Sequence, residues 1–246
     1  MRIASVHDDA QEMQAVSEGG TPTIVLLPGL HGTQGLFGPL LNAIPPDYHR
    51  AAVGYPCDRV LNAEELVQYV DERTPREGPL VIVGESFSGP VATELAARRG
   101  RQMRLLVLAA SFVSAPKAAW LCHLAAPIAG RGPRPLFVVR HALSVPAASA
   151  ELLRQVRIEA SSNSASVMAS RLDLVAHCDA RDALRRCSAP VLYLHARNDW
   201  VVKRRSLEVV QSIRPDTQVT EFNCGHMILQ LRPQEAWAAV QAALAY

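Results

Sequence analysis

The chain has no C-x-x-C pair, and its five cysteines (Cys57, Cys122, Cys178, Cys187 and Cys224) are odd in number and widely spaced. That spacing fits neither a disulfide framework nor a zinc site, and it makes a reducing compartment the simplest setting. No window approaches the roughly 18 consecutive apolar residues of a membrane span. The opening stretch MRIASVHDDAQEMQ is polar and acidic where a signal peptide has an apolar core. The expectation is a cytoplasmic protein without a membrane span. A strong charge imbalance is missing too: the formal net charge is +2, which gives no reason to expect a nucleic acid or a membrane surface as partner. Internal repeats and long low-complexity tracts are also absent. The first 20 residues fit either short edge strands or a loose arm.

What the chain does have is enough apolar material for a large core. It has 246 residues, 49% of them hydrophobic and 20% charged, the range of one α/β domain with an insertion. Apolar or β-branched runs recur at 23–27, 51–54, 80–83, 105–109, 191–195 and 218–222. Several are continuous where a half-exposed strand would alternate, as in parallel strands covered on both faces. Helical signals lie between them. Asn62 is an N-cap with Glu65 three residues on, opening an amphipathic segment with Leu66, Val67 and Val70 inward. Segments 204–213 and 233–245 read the same way, the second with Pro233 in its first turn. Strands alternating with helices predict a mostly parallel, doubly wound sheet.

Between the strand ending at Ala109 and the one starting at Val191 lies more chain than a crossover of about a dozen residues needs. An inserted helical cap over one end of the sheet is expected at 115–180, with the core formed by 1–114 and 181–246. Its first part is apolar and broken by prolines. Its second has helical spacing at Leu152, Leu153 and Val156, then at Val167, Met168, Leu172 and Val175, with Ser161 to Ser164 as the turn between. Seven basic residues (Lys117, Arg131, Arg134, Arg140, Arg154, Arg157, Arg171) face only two acids, Glu151 and Glu159, from Ala115 to Leu172. This is a solvated face or a basic lid that recruits an anionic substrate or an acyl carrier protein. Leu136 to Val139 are either cap core or the wall of an acyl pocket.

Gly84-Glu85-Ser86-Phe87-Ser88-Gly89 directly follows the strand at 80–83 and precedes an alanine-rich helix with Pro90 in its first turn. A serine hydroxyl is a poor nucleophile at neutral pH and needs a base, an orienting acid and oxyanion donors. A strand-to-helix turn exposes the serine and sets the next N–H, that of Phe87, at a helix N-terminus. Downstream, Asp199 follows a strand, and His226 follows the strand ending at Phe222.

From about Ile24 to the last helix the sequence resembles the α/β-hydrolase family, whose G-x-S-x-G elbow is followed in order by an acid and a histidine. The resemblance implies Ser86 as nucleophile, Asp199 as acid and His226 as general base. Asp173 and Asp179 stand as rivals for the acid, and His31, His177 and His195 for the histidine. Ser88 departs from the motif, whose final glycine comes one place late at Gly89. The loop from Leu26 to Thr33 resembles the family's oxyanion loop with Pro28 in place of histidine. So aligned, it makes Leu30 N–H the second donor beside Phe87 N–H; the literal His31-Gly32 would shift that donor to Thr33. The cap resembles that of pimeloyl-carrier methyl ester esterase relatives, and Trp120, Leu124 and Phe137 are its candidate substrate contacts. The implied activity is hydrolysis of a small ester without metal or organic cofactor. A thioesterase, an acyltransferase acting on carrier-bound or CoA-bound acyl groups, and a non-catalytic ligand binder are the alternatives.

Overall fold

The computed structural model describes residues 20–116, 145 and 148–245. Six parallel strands, β1 (Thr23–Leu27), β2 (Arg50–Ala52), β3 (Leu80–Glu85), β4 (Met103–Ala109), β5 (Val191–Ala196) and β6 (Gln218–Phe222), form one sheet in the order β2-β1-β3-β4-β5-β6. All six runs read from the sequence are strands. β3 runs two residues past Val83 because Gly84 and Glu85 keep their pairing with Leu108 and Ala109.

The continuous apolar runs divide by parity, as the pleat requires. Val25, Leu27, Leu80, Ile82, Leu106, Leu108 and Tyr193 face one core layer. Ile24, Leu26, Val81, Val83, Leu105, Val107, Leu192 and Leu194 face the other. The first layer is closed by α2 (Ala63–Glu72), α3 (Gly89–Arg99), α6 (Arg181–Arg186) and α7 (Arg204–Ile213). The second is closed by α1 (Gly38–Ala43), α8 (Ile228–Leu231) and α9 (Pro233–Leu244). Helix α2 starts with the expected capping box: Glu65 N–H donates to Asn62 Oδ1 at 3.0 Å, and Asn62 N–H to Glu65 Oε2 at 2.7 Å. Such a cap is worth about 1 kcal/mol. The short α1, α6 and α8 are too brief to leave a periodic signal in the sequence.

Within the insertion, α4 (Ala150–Ser161) and α5 (Ala165–His177) carry the two apolar stripes read from the sequence and are joined by Ser162 to Ser164. The neck is pinned: Ser114 bridges Asp179, Ala115 N–H donates to Cys178 O at 2.9 Å, and Ala180 N–H to Val113 O at 2.7 Å. Leu153 of α4 packs with Leu36, Val145, Ala148 and Met227. Trp120, Leu124 and Phe137, the apolar stretch at 136–139, and the first 19 residues lie outside the described residues. So do Lys117, Arg131, Arg134 and Arg140. No helix among the described residues is long and apolar enough to cross a membrane.

The strand order reverses direction at the β1/β3 pair. In open α/β sheets the crevice at the carboxyl ends of such strands is where ligands bind. Here it lies between the loop after β1, residues 28–33, and the turn after β3, which begins with Ser86.

Candidate active site

Ser86 has φ of 49°, in the left-handed region that a residue with a side chain seldom occupies. The elbow forces it. The chain must reverse from β3 into α3 within one 3-10 turn, Ser86 to Ser88. Gly84 is small because a carbon there would lie 2.7 Å from Ala92 Cβ and 2.8 Å from Ser88 O. Gly89 is small because a carbon there would run into the Ser111 hydroxyl and lie 2.5 Å from Phe112 O. The closest backbone approach therefore falls at Gly89, one place beyond the motif.

Ser88 uses the space this leaves. Its buried hydroxyl donates to Pro28 O and so must accept from the Tyr55 hydroxyl, which burial keeps protonated by raising its pKa. The residue that breaks the motif thus ties the elbow to the loop after β1.

Three loops bring the expected trio together. His226 Nδ1 donates to Asp199 Oδ2 at 2.7 Å, and the Ser86 hydroxyl donates to His226 Nε2 at 2.9 Å. The other Asp199 oxygen accepts from Val201 N–H at 2.7 Å and Val202 N–H at 2.9 Å, which fixes the carboxylate. Both Asp199 and His226 are buried. Burial alone would lower the His226 pKa, but the charge and hydrogen bond of Asp199, with Glu85 beyond, outweigh it and hold the imidazole above its ordinary 6.5. Such an arrangement can take the serine proton and stabilise the imidazolium that results.

Of the rivals, only His31 lies near Ser86, on the loop after β1. Asp179 is bound by Arg181 at 2.6 and 2.7 Å, which pulls it down to about 2, and Asp173 faces His177 on the exposed side of α5. His195 is buried on β5 beside Tyr193.

The loop after β1 is held carbonyl by carbonyl. Pro28 O accepts from Ser88, Gly29 O from Gly32 N–H at 2.9 Å, and Gly32 O from Tyr55 N–H at 2.6 Å. The two between are held by the insertion: Leu30 O accepts from Arg171 Nη1 at 3.0 Å, and His31 O from Asn163 Nδ2 at 2.7 Å. Arg171 is buried; its other contacts are Asn163 Oδ1 at 2.8 Å, Pro56 O at 3.0 Å and the face of Tyr55. Gly32 has φ of 74°, and a side chain there would strike the Arg171 guanidinium. Thr33 N–H is already committed to His31 Nδ1 at 3.2 Å, whereas Leu30 N–H has no hydrogen-bond partner among the described residues. That favours Leu30 over Thr33 as the available donor.

Sequence reasoning placed Arg171 only among the cap's bases and Asn163 only in the turn between the cap helices, and it passed over Tyr55, Glu85 and Gln230. Glu85 precedes the serine and is buried, and burial raises its pKa; Gln230 Nε2 donates to it at 2.9 Å. Its place inside the elbow was the one sequence signal available. A cavity of about 430 Å³ opens between α2, α3 and α5 and is lined by Phe87, Phe112, Leu174 and Val175 among others. It shares Phe87 with the site, but not Ser86, Leu30 or His226. Among the described residues no cluster of His, Cys, Asp or Glu is arranged to hold a metal ion.

Residues 47–230 match the family described as serine aminopeptidase, S33. The chain belongs to that family. The S33 match and the fold make it a hydrolase of the α/β-hydrolase type. Similar solved structures include a bromoperoxidase from Bacillus anthracis, with TM-score 0.78 and 13% identity over 92% of each chain. MenH from S. aureus has TM-score 0.76 and 15% identity over 92% of this chain and 94% of its own. The enol-lactonase from Burkholderia xenovorans LB400 has TM-score 0.75 and 15% identity over 93% of each. At these identities the likeness concerns the fold. No curated protein sequence matches this S33 chain.

Proposed function

We propose that the protein is a serine esterase that cleaves a small carboxylic ester through an acyl-enzyme on Ser86. The observation that carries this reading is the hydrogen-bonded line from Asp199 through His226 to Ser86, with the serine held at positive φ over the sheet's crevice. Ser86 Oγ attacks the ester carbonyl as its proton passes to His226 Nε2, and Asp199 holds the Nδ1–H tautomer. Leu30 N–H and Phe87 N–H receive the negative charge that develops on the carbonyl oxygen. His226 then returns the proton to the departing alcohol and later takes one from the water that releases the acid. The insertion at 115–180 acts as the cap over this site, and Arg171 and Asn163 link it to the oxyanion loop.

A small-molecule ester is favoured over a carrier-borne acyl group, because one of the seven basic residues, Arg171, is buried against the loop after β1 and not on offer to a partner. An acyl-carrier surface predicts turnover that falls with salt; a small neutral ester predicts little dependence.

The reading is tested by hydrolysis of p-nitrophenyl esters of increasing acyl length by wild type and Ser86→Ala. Turnover that disappears in a folded Ser86→Ala variant supports it. Turnover that survives, or a folded wild type inert on every ester, would sink it in favour of thioesters, acyl transfer or ligand binding.

A further inference from the structure

The histidine of the oxyanion loop has a fixed tautomer. His31 Nδ1 accepts from Thr33 N–H at 3.2 Å and lies 2.9 Å from Thr33 Oγ1. A backbone N–H can only donate, so Nδ1 carries no proton and the neutral ring must carry it on Nε2. That Nε2–H has no hydrogen-bond partner among the described residues, and it is not among their fully enclosed, unpartnered polar atoms. It is a donor within reach of a ligand.

Its place is set by the turn around it. Gly32 N–H closes onto Gly29 O, and the ring folds back over Gly29. A side-chain carbon on Gly29 would lie 3.7 Å from both His31 Nε2 and Ser86 Cβ, so ring and nucleophile flank the same gap left by a missing side chain. Ionisation of the ring is opposed by burial and by the nearby Arg171 guanidinium, which lower its pKa to about 4. At neutral pH the ring is uncharged, and its one lone pair, on Nδ1, is taken up by Thr33 N–H. A neutral imidazole can still act as an electrophilic donor to an oxygen on which charge develops.

We propose that His31 is a catalytic residue whose Nε2–H is a third donor to the substrate's carbonyl oxygen, beside Leu30 N–H and Phe87 N–H. This rests on Ser86 being the nucleophile. Negative charge gathers on that oxygen only as the tetrahedral intermediate forms, so the donor acts on kcat more than on KM. Arg171 has a double part: it sets the loop through Leu30 O, and it adds to the burial that disfavours a charge on His31.

The experiment compares wild type, His31→Ala, His31→Gln and Ser86→Ala on p-nitrophenyl esters, with melting curves for each. Expected for His31→Ala is a fall in kcat of about 10–100-fold with KM within about threefold, and partial recovery in His31→Gln, which keeps an N–H donor. Loss confined to KM, or wild-type kcat in His31→Ala while Ser86→Ala is dead, would overturn the role of His31 alone. Full activity in Ser86→Ala would overturn the esterase reading beneath it. Should His31→Ala not fold, ¹⁵N NMR of the wild-type imidazoles at pH 7 decides. A ring protonated on Nε2 alone, whose proton moves downfield with a trifluoromethyl ketone bound to Ser86, agrees with the proposal. An Nδ1-protonated or charged ring, or a proton signal that does not respond, refutes it.

Discussion

The hydroxyl of Ser111 donates to the carbonyl oxygen of Ser86 at 2.5 Å, from a position with no solvent exposure. Ser111 O in turn accepts from the Tyr193 hydroxyl at 2.5 Å. A buried chain from β5 thus reaches the one residue whose backbone the elbow strains. Ser111→Ala removes the side-chain donor to the Ser86 carbonyl, which keeps only Gly89 N–H, and loss of one such hydrogen bond costs about 0.5–1.5 kcal/mol. The expected outcome is a lower melting temperature together with reduced kcat, read by thermal denaturation and ester turnover. A variant as stable and as active as wild type would remove Ser111 from this role.

Gly89→Ala strikes the same arrangement from the other side. The new carbon meets the Ser111 hydroxyl and the Phe112 carbonyl, and a backbone oxygen cannot swing away. Overpacking of this kind costs about 1–3 kcal/mol or more. Denaturant melts should show that loss, whereas Gly38→Ala, with open space around it, leaves stability nearly unchanged.

The pH profile follows from His226. The ring must be neutral to accept the Ser86 proton, and its pKa in the folded protein lies above 6.5. The base is lost as pH falls through that raised value, so kcat/KM rises with pH and its acid limb has a midpoint above 6.5. Asp199→Asn removes the charge that raises it, and the midpoint moves down along with the rate. A wild-type midpoint at or below 6.5 contradicts this account.

Arg171→Met separates the clamp from the fold. Leu30 O and Pro56 O lose a donor, and a loop displaced by about 1 Å can cost on the order of 100-fold in rate. Relief of a buried charge offsets part of the lost hydrogen bonding. Ester kinetics should therefore show kcat falling at least tenfold while the melting temperature moves by a few degrees. Arg171→Lys should not rescue, since a lysine ammonium lacks the planar fork that reaches both carbonyls. Equal losses of activity and stability would mean that the residue matters to the fold alone.

Much of this was legible in the sequence, and the physical reasons are specific. Parallel strands buried on both faces write themselves as uninterrupted apolar runs, so all six could be read. The trio could be read because each member sits just past a strand, where the loop's position follows from the sheet. Helices α4 and α5 kept their apolar stripes and were placed correctly. The roles of Arg171 and Asn163 could not be read, because a hydrogen bond to a backbone carbonyl puts no constraint on the identity of the residue that owns it. Arg171 stood in the sequence as one of seven cap bases, read as a solvated face or as a basic lid; its burial fits neither. Ser88 looked like an imperfection for the same reason, since its partner Pro28 O is sixty residues away.

The loop after β1 takes its carbonyl donors from the elbow, from its own turn, from Tyr55 and from the insertion. Replacing the segment proposed as the lid with that of another hydrolase would remove the donors of Leu30 O and His31 O in the same exchange. On the proposed reading, the lid therefore cannot be swapped as a module. A chimaera that keeps its rate must carry an arginine and an asparagine, or their equivalents, at the same two points of contact.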